Sequence, residues 1–248
     1  MTKYKAIIFD VDRTLTISDD LQVTQKVIDT ITKAEKIIHV GIATSRSRRE
    51  IESIFKTVPL NSPSIVSGGA QVINSRSHIP YYERVLSADT INEIQKIAHE
   101  DGAVITVDSD GELIPFDDSL EYAKPFAVFS TTALRQSKAE QFALKLSKIS
   151  NVDIRLAAGY EKNSSWVMAT HPEATKQHGI IEVAKLLNIQ PSEIIGVGDS
   201  YNDFPLLSAC GLKVAMGNAA PELKELADYI APSVEDNGAA DVIEKFIL

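Results

Sequence analysis

Apolar positions along the chain follow two rhythms. Three runs without alternation, Ala6-Ile7-Ile8-Phe9, Ile37 to Ala43 and Ile194 to Val197, read as strands buried on both faces, as found inside parallel sheets. Elsewhere apolar residues recur at helical spacing. Val23, Val27, Ile31 and Ala34 predict an amphipathic helix over about 24–36, and Ile51, Ile54 and Phe55 predict another after the second run. Ser64 to Ser67 and Ala70 to Ile73 predict short strands on either side of a Gly68-Gly69 turn. Late in the chain the alternation resumes, with helices expected over 173–187, 220–227 and 239–246 and strands over 194–197, 213–215 and 229–231. Strand and helix in alternation is the rhythm of a parallel sheet with right-handed crossovers.

The middle of the chain has another texture. A helix over 88–99 precedes Val104 to Val107, a turn at Asp108-Ser109-Asp110-Gly111, and Glu112 to Ile114. Strand, turn, strand is a hairpin signature. Further strands over 126–129, 152–157 and 166–168, with a helix over 138–147, suit an antiparallel sheet covered on one face. The pattern therefore predicts an α/β fold with a doubly wound, mostly parallel, Rossmann-like core over residues 1–83 and 167–248, interrupted by an α+β domain over 84–166.

Composition narrows the class. Hydrophobic residues make up 44% and charged ones 24% of the 248 residues, as in ordinary globular proteins. A formal net charge of −9 argues against general affinity for nucleic acid or anionic lipid and favours a small substrate. Cys210 is the only cysteine, which excludes an intramolecular disulfide and fits a reducing cytosol. No apolar run approaches the roughly 20 residues that a bilayer needs, and the expectation is a cytoplasmic protein, monomeric or weakly self-associating.

The chemistry gathers where the buried runs stop. The first ends in Asp10 and Asp12, the second in Thr44 and Ser45, the third in Gly198-Asp199-Ser200-Tyr201-Asn202-Asp203. Open α/β sheets place ligands at the carboxyl ends of their strands. Taken alone, the first stretch leaves a plain capping turn open, with Asp12 and Thr14 bonding local amides, and Asp199 could cap a following helix. If the three ends are neighbours, four carboxylates converge and need a counter-ion. A hard divalent cation with oxygen ligands suits them, and Mg²⁺ takes a few carboxylates plus waters and a substrate phosphate. Lys176, opening a helix, and Arg46 read by themselves as solvated charges. The five histidines show no metal-ligand spacing.

Asp10-x-Asp12-x-Thr14-Leu15, then Thr44, then Lys176, then Gly198-Asp199-x-x-Asn202-Asp203 resembles the haloacid dehalogenase-like phosphohydrolase superfamily, and the position of the insertion resembles its Cof-type, type IIB capped members. The resemblance implies a Mg²⁺-dependent phosphatase acting on a small phosphorylated metabolite, a sugar phosphate first and phosphoglycolate next, with the inserted domain closing as a cap. It implies Asp10 as nucleophile forming an aspartyl-phosphate, and Asp12 as general acid and base. Metal binding falls to Asp10, Asp12 through its backbone carbonyl, Asp199 and Asp203; phosphate binding falls to Thr44, Ser45, Lys176 and Asn202. A phosphomutase using the same phospho-aspartate and a non-catalytic phosphoacceptor are the alternatives. Two departures stand out: Arg13 where the family commonly has glycine, and Gly68-Gly69-Ala70 where Asn-Gly-Ala is frequent.

Overall fold

The structure, a computed structural model, describes residues 3–18, 20–109, 111–115, 125–130, 134–158 and 162–248. The chain opens with β1 (Ala6–Phe9), α1 (Gln25–Ala34), β2 (His39–Ile42), α2 (Glu52–Thr57), β3 (Ser64–Val66), β4 (Gln71–Ile73) and β5 (Pro80–Glu83). Next come α3 (Ala88–Glu100), β6 (Ile105–Ser109), β7 (Glu112–Pro115), β8 (Pro125–Ser130), β9 (Leu134–Arg135), α4 (Gln136–Leu146), β10 (Asp153–Ala158) and β11 (Ser164–Thr170). It closes with α5 (Lys176–Leu187), β12 (Ile194–Gly198), α6 (Phe204–Ala209), β13 (Leu212–Ala215), α7 (Pro221–Leu226), β14 (Tyr229–Ile230) and α8 (Gly238–Phe246). Two compact units result: Met1–Glu83 with Thr175–Leu248, and Arg84–Ala174.

The first unit is built on a parallel sheet of order β14-β13-β12-β1-β2. Every residue of β1 and β12 is buried, which is why their apolar runs lack alternation. Each fully buried Ile or Phe there contributes about 1.5–3 kcal/mol. From β1 the chain crosses to β2 through α1, and from β12 it crosses the other way to β13 through α6. Right-handed crossovers in opposite directions put their helices on opposite faces, so the strand order reverses at the β1/β12 pair. Such a switch point opens a crevice at the carboxyl ends of the strands. Beside β2, an Ala43–Ile65 bridge carries the sheet's edge on to the antiparallel strands β3-β4-β5. Cys210 is buried; burial pushes its thiol up, so it serves as a small core residue, as expected.

The second unit holds an antiparallel sheet of order β10-β11-β8-β6-β7, with β9 paired to β11. Along β6 buried and half-buried residues alternate, the mark of one covered face. Ile94 of α3 and Phe142 and Leu146 of α4 share a core with Val107, Val128, Val167 and Ala169 of the sheet. The return to the first unit falls at Thr175, beyond the residue 166 boundary expected from the sequence. The reason is pairing: β11 runs on to Thr170, where it partners both Asp153 and Ala127. Asp110, in the predicted hairpin turn, lies outside the described residues. Among the described residues no helix is long and apolar enough to cross a membrane.

Candidate active site

Register brings the three polar strand ends together. Phe9 lies beside Val197 on one side and Ile42 on the other, and the ladder continues one step further, with Asp10 N–H donating to Val197 O and Ala43 N–H to Phe9 O, both at 2.8 Å. The next residues along each strand are therefore Asp10, Gly198-Asp199 and Thr44. After Asp10 the chain turns tightly: the amides of Thr14, Leu15 and Thr16 all donate to Val11 O, and buried Leu15 pins the turn into the core. Gly198 is required here, since a Cβ on it would stand 2.5 Å from the Asp203 carboxyl carbon.

Lys176 reaches the same point from the first turn of α5. Thr175 caps that helix, its hydroxyl accepting from His178 N–H at 3.2 Å, so the helix begins at Lys176 and not at Glu173 as the sequence pattern suggested. Gly69, at φ 105°, lets its loop press on the cap, because a Cβ there would meet Thr175 O at 2.1 Å. The Lys176 ammonium, 2% exposed, donates to Asp10 Oδ1 and Asp203 Oδ1 at 2.6 Å each. Asp203 is fully committed: its Oδ2 accepts the amides of Asp199 and Ser200 at 3.0 Å. It thus knits the β12 loop to Lys176, and it is Asp203, not Asp199, that satisfies the loop's amides.

Asp10, Asp199 and Asp203 are all buried, with ligand oxygens within 4.8 Å of one another. Burial pushes the Asp10 carboxyl up to about 8, against the pull of Lys176. Burial, with Asp203 beside it, likewise raises Asp199 to about 6. For Lys176 burial opposes the charge, yet Asp10 and Asp203 together hold its ammonium above the usual lysine range. Three buried carboxylates share the pocket with one buried ammonium, which bridges Asp10 and Asp203. Such an all-oxygen, carboxylate-rich donor set fits a hard divalent cation.

Asp12 stands apart from that triad. Its carboxylate is taken by Arg46, whose Nε donates at 3.0 and 2.9 Å to the two oxygens and whose Nη2 donates at 2.7 Å. The Asp12 carboxylate is therefore not grouped with the three that could hold a metal ion. Thr44 is buried and its Oγ1 accepts from Arg46 N–H at 3.1 Å, which leaves the hydroxyl proton to donate elsewhere. Ser45 and Asn202, both expected at the phosphate, bond to each other at 3.0 Å and clasp the ends of β2 and β12. The pairing of Arg46 with Asp12 was missed from the sequence. Its signal was position: Arg46 follows Thr44-Ser45 at the same strand end.

Residues 7–159 and 114–243 of the chain match the family model for haloacid dehalogenase-like hydrolases. A putative phosphatase of Bacillus subtilis, YxeH, is 25% identical over 269 residues, covering 99% of this chain and 99% of that protein. Among solved structures, the BT1666 phosphatase of the HAD superfamily from Bacteroides thetaiotaomicron superposes with a TM-score of 0.84 at 22% identity, over 98% of this chain and 95% of that one. The HAD subclass IIB sugar phosphatase BT4131 superposes with a TM-score of 0.75 at 18% identity, over 98% of each.

Proposed function

The chain belongs to the haloacid dehalogenase-like hydrolase family and is a phosphoric monoester hydrolase; from that premise we propose that it releases phosphate from a small phosphorylated metabolite, a sugar phosphate first, by Mg²⁺-dependent displacement on Asp10. The observation that carries this reading is the buried Asp10–Lys176–Asp203 bridge at the sheet's switch point. It supplies a fixed carboxylate and a fixed cation at one place, as phosphoryl transfer requires.

In this reading Lys176 holds Asp10 Oδ1 and leaves the second carboxylate oxygen to attack phosphorus. The bond from phosphorus to the ester oxygen breaks, and Asp12 gives that oxygen a proton so that it leaves as an alcohol. Lys176 and the Thr44 hydroxyl take up charge on the transferring oxygens. In the second half Asp12 removes a proton from water, the water oxygen bonds phosphorus, and the phosphorus–Asp10 bond breaks to give inorganic phosphate and free carboxylate. Asp10, Asp199 and the Asp12 carbonyl would hold Mg²⁺, with Asp203 anchoring behind, and the ion would supply positive charge that keeps Asp10 ionised in its dry pocket. Asp203 is the anchor because both its oxygens are already engaged.

A sugar phosphate is placed first because of the likeness to a sugar phosphatase of the same subclass. The test is a phosphate-release screen across hexose, pentose and triose phosphates and phosphoglycolate, with isomer formation followed in parallel. Stoichiometric phosphate release is expected; isomer without free phosphate would instead make the enzyme a mutase.

A further inference from the structure

Arg13 is the residue of the opening loop that the reaction does not use. Its backbone lies at φ 58°, a left-handed conformation costly for any residue with a Cβ, and cheapest for glycine. The surroundings enforce it: Arg13 N–H donates to Thr16 O at 2.8 Å, and Asn218 Nδ2 donates to Arg13 O at 2.8 Å. Strain of this kind persists where the rest of the structure fixes it, and it collects at functional sites. What the strained position presents is a cation. Arg13 Nε lies 3.9 Å from Asp199 Oδ2, with the arginine side chain 66% exposed and the aspartate 4%.

We propose that Arg13 is a built-in counter-cation for Asp199 which a divalent metal must displace, so that this residue lowers the affinity of the metal site. The inference rests on the reading of Asp199 as a metal ligand. Asp199 is buried beside Asp203, and the Arg13 guanidinium is the cation that lies against its carboxylate. An ion bound by Asp199 would set two positive charges beside the guanidinium. Like charges at this range repel, and the exposed side chain is the partner free to swing away. A glycine at this position would leave Asp199 without that competitor and the turn without its strain. The consequence is a weaker, more readily exchanged metal, with an affinity that depends on ionic strength through Arg13.

The test is calorimetric titration of Mg²⁺ into the protein after chelator treatment, with no substrate present. R13Q, which keeps the backbone strain and removes the charge, is expected to bind Mg²⁺ about threefold to tenfold more tightly than wild type. R13K, which keeps the charge, should stay within about twofold, and the advantage of R13Q should shrink at high salt. R13G guards against a folding artefact: it suits the φ, should melt at or above the wild-type temperature, and should tighten Mg²⁺ as R13Q does. Unchanged or weaker binding in both neutral variants overturns the inference. D199N in the same titration separates the two levels. If D199N binds Mg²⁺ like wild type, the metal-site reading itself fails; if D199N loses binding while R13Q is unchanged, only the role of Arg13 fails.

Discussion

The Lys176 cluster and the Asp12–Arg46 pair open from the same strand ends but sit in different solvents. Lys176 and Asp203 side chains are 2% and 0% exposed, whereas Arg46 and Asp12 are 26% and 38% exposed. In the dry cluster no member can move without stranding a buried charge, which costs about 3–5 kcal/mol. A half-exposed pair is worth about 0–1 kcal/mol and can open at little cost. The division matches the two kinds of work in the proposed reaction. A nucleophile and a charge clamp gain from being fixed before the substrate arrives. A group that collects a proton and returns it needs access to water and room to turn.

The comparison is broken most severely by attacking the dry side. D10N should lower turnover by about 10⁴-fold or more while leaving the circular-dichroism spectrum native, since an amide is a poor nucleophile. Turnover that survives in D10N and still needs Mg²⁺ would remove Asp10 from the chemistry. K176M comes next: kcat should fall about 10²–10³-fold through loss of charge stabilisation, and the metal-free protein should lose about 3–5 kcal/mol in urea unfolding as Asp10 and Asp203 are left facing each other. Near-normal stability in K176M would mean that the cluster holds protons in place of the lysine and that its dryness is not what fixes it.

The wet side predicts a different and smaller signature. R46A should reduce hydrolysis of an alkyl phosphate about 10–100-fold, since a misplaced Asp12 cannot protonate a poor leaving group. The first-turnover release of p-nitrophenol from p-nitrophenyl phosphate should change less than about threefold, because that leaving group departs without a proton. R46K should recover only part of the loss, lacking the bidentate fork. Equal losses on both substrates would assign Arg46 to phosphate binding and not to orienting Asp12.

The same contrast explains what could be read from the sequence. Asp10 and Asp199 were legible because an unalternating apolar run ending in acid identifies a buried strand with a polar carboxyl end, whatever the rest of the fold. Val107 was legible as part of an antiparallel unit from the hairpin turn that follows its strand, another local signal. The Asp12–Arg46 pair spans 34 positions and exists only because β1 and β2 are in register, which no local pattern specifies. Asp203 read as a further metal ligand or an anchor behind the ligands, and its commitment to Lys176 and two amides depends on Gly198 admitting it so closely. Lys176 was placed inside a helix expected to start at Glu173, whereas the Thr175 cap makes it the first helical residue. The domain boundary at residue 166 fell short because Trp166 and Val167 lie in mid-strand, where hydrophobic pattern alone does not say which sheet a strand joins.

The smallest effect concerns the charge of the dry cluster itself. Asp10, near 8, and Asp199, near 6, both stand above the 3.8 of a free aspartate. The folded, metal-free protein therefore holds protons that the unfolded chain has released. Where the native state binds more protons, stability falls as pH rises, so this contribution is full below about pH 4 and is lost as pH climbs through 6 and then 8. In the proposed reaction Mg²⁺ would bind the ionised carboxylates and would have to expel those protons, which are already gone at high pH. Saturating Mg²⁺ should therefore raise the melting temperature more at pH 8 than at pH 5. At a hundredfold excess over its dissociation constant, a gain of about 2.7 kcal/mol corresponds to about 5–10 °C for a chain of this size. In D199N that gain should largely disappear at both pH values, because the ion loses one of its ligands. A metal-induced shift as large at pH 5 as at pH 8 would place the ion elsewhere than on Asp10 and Asp199.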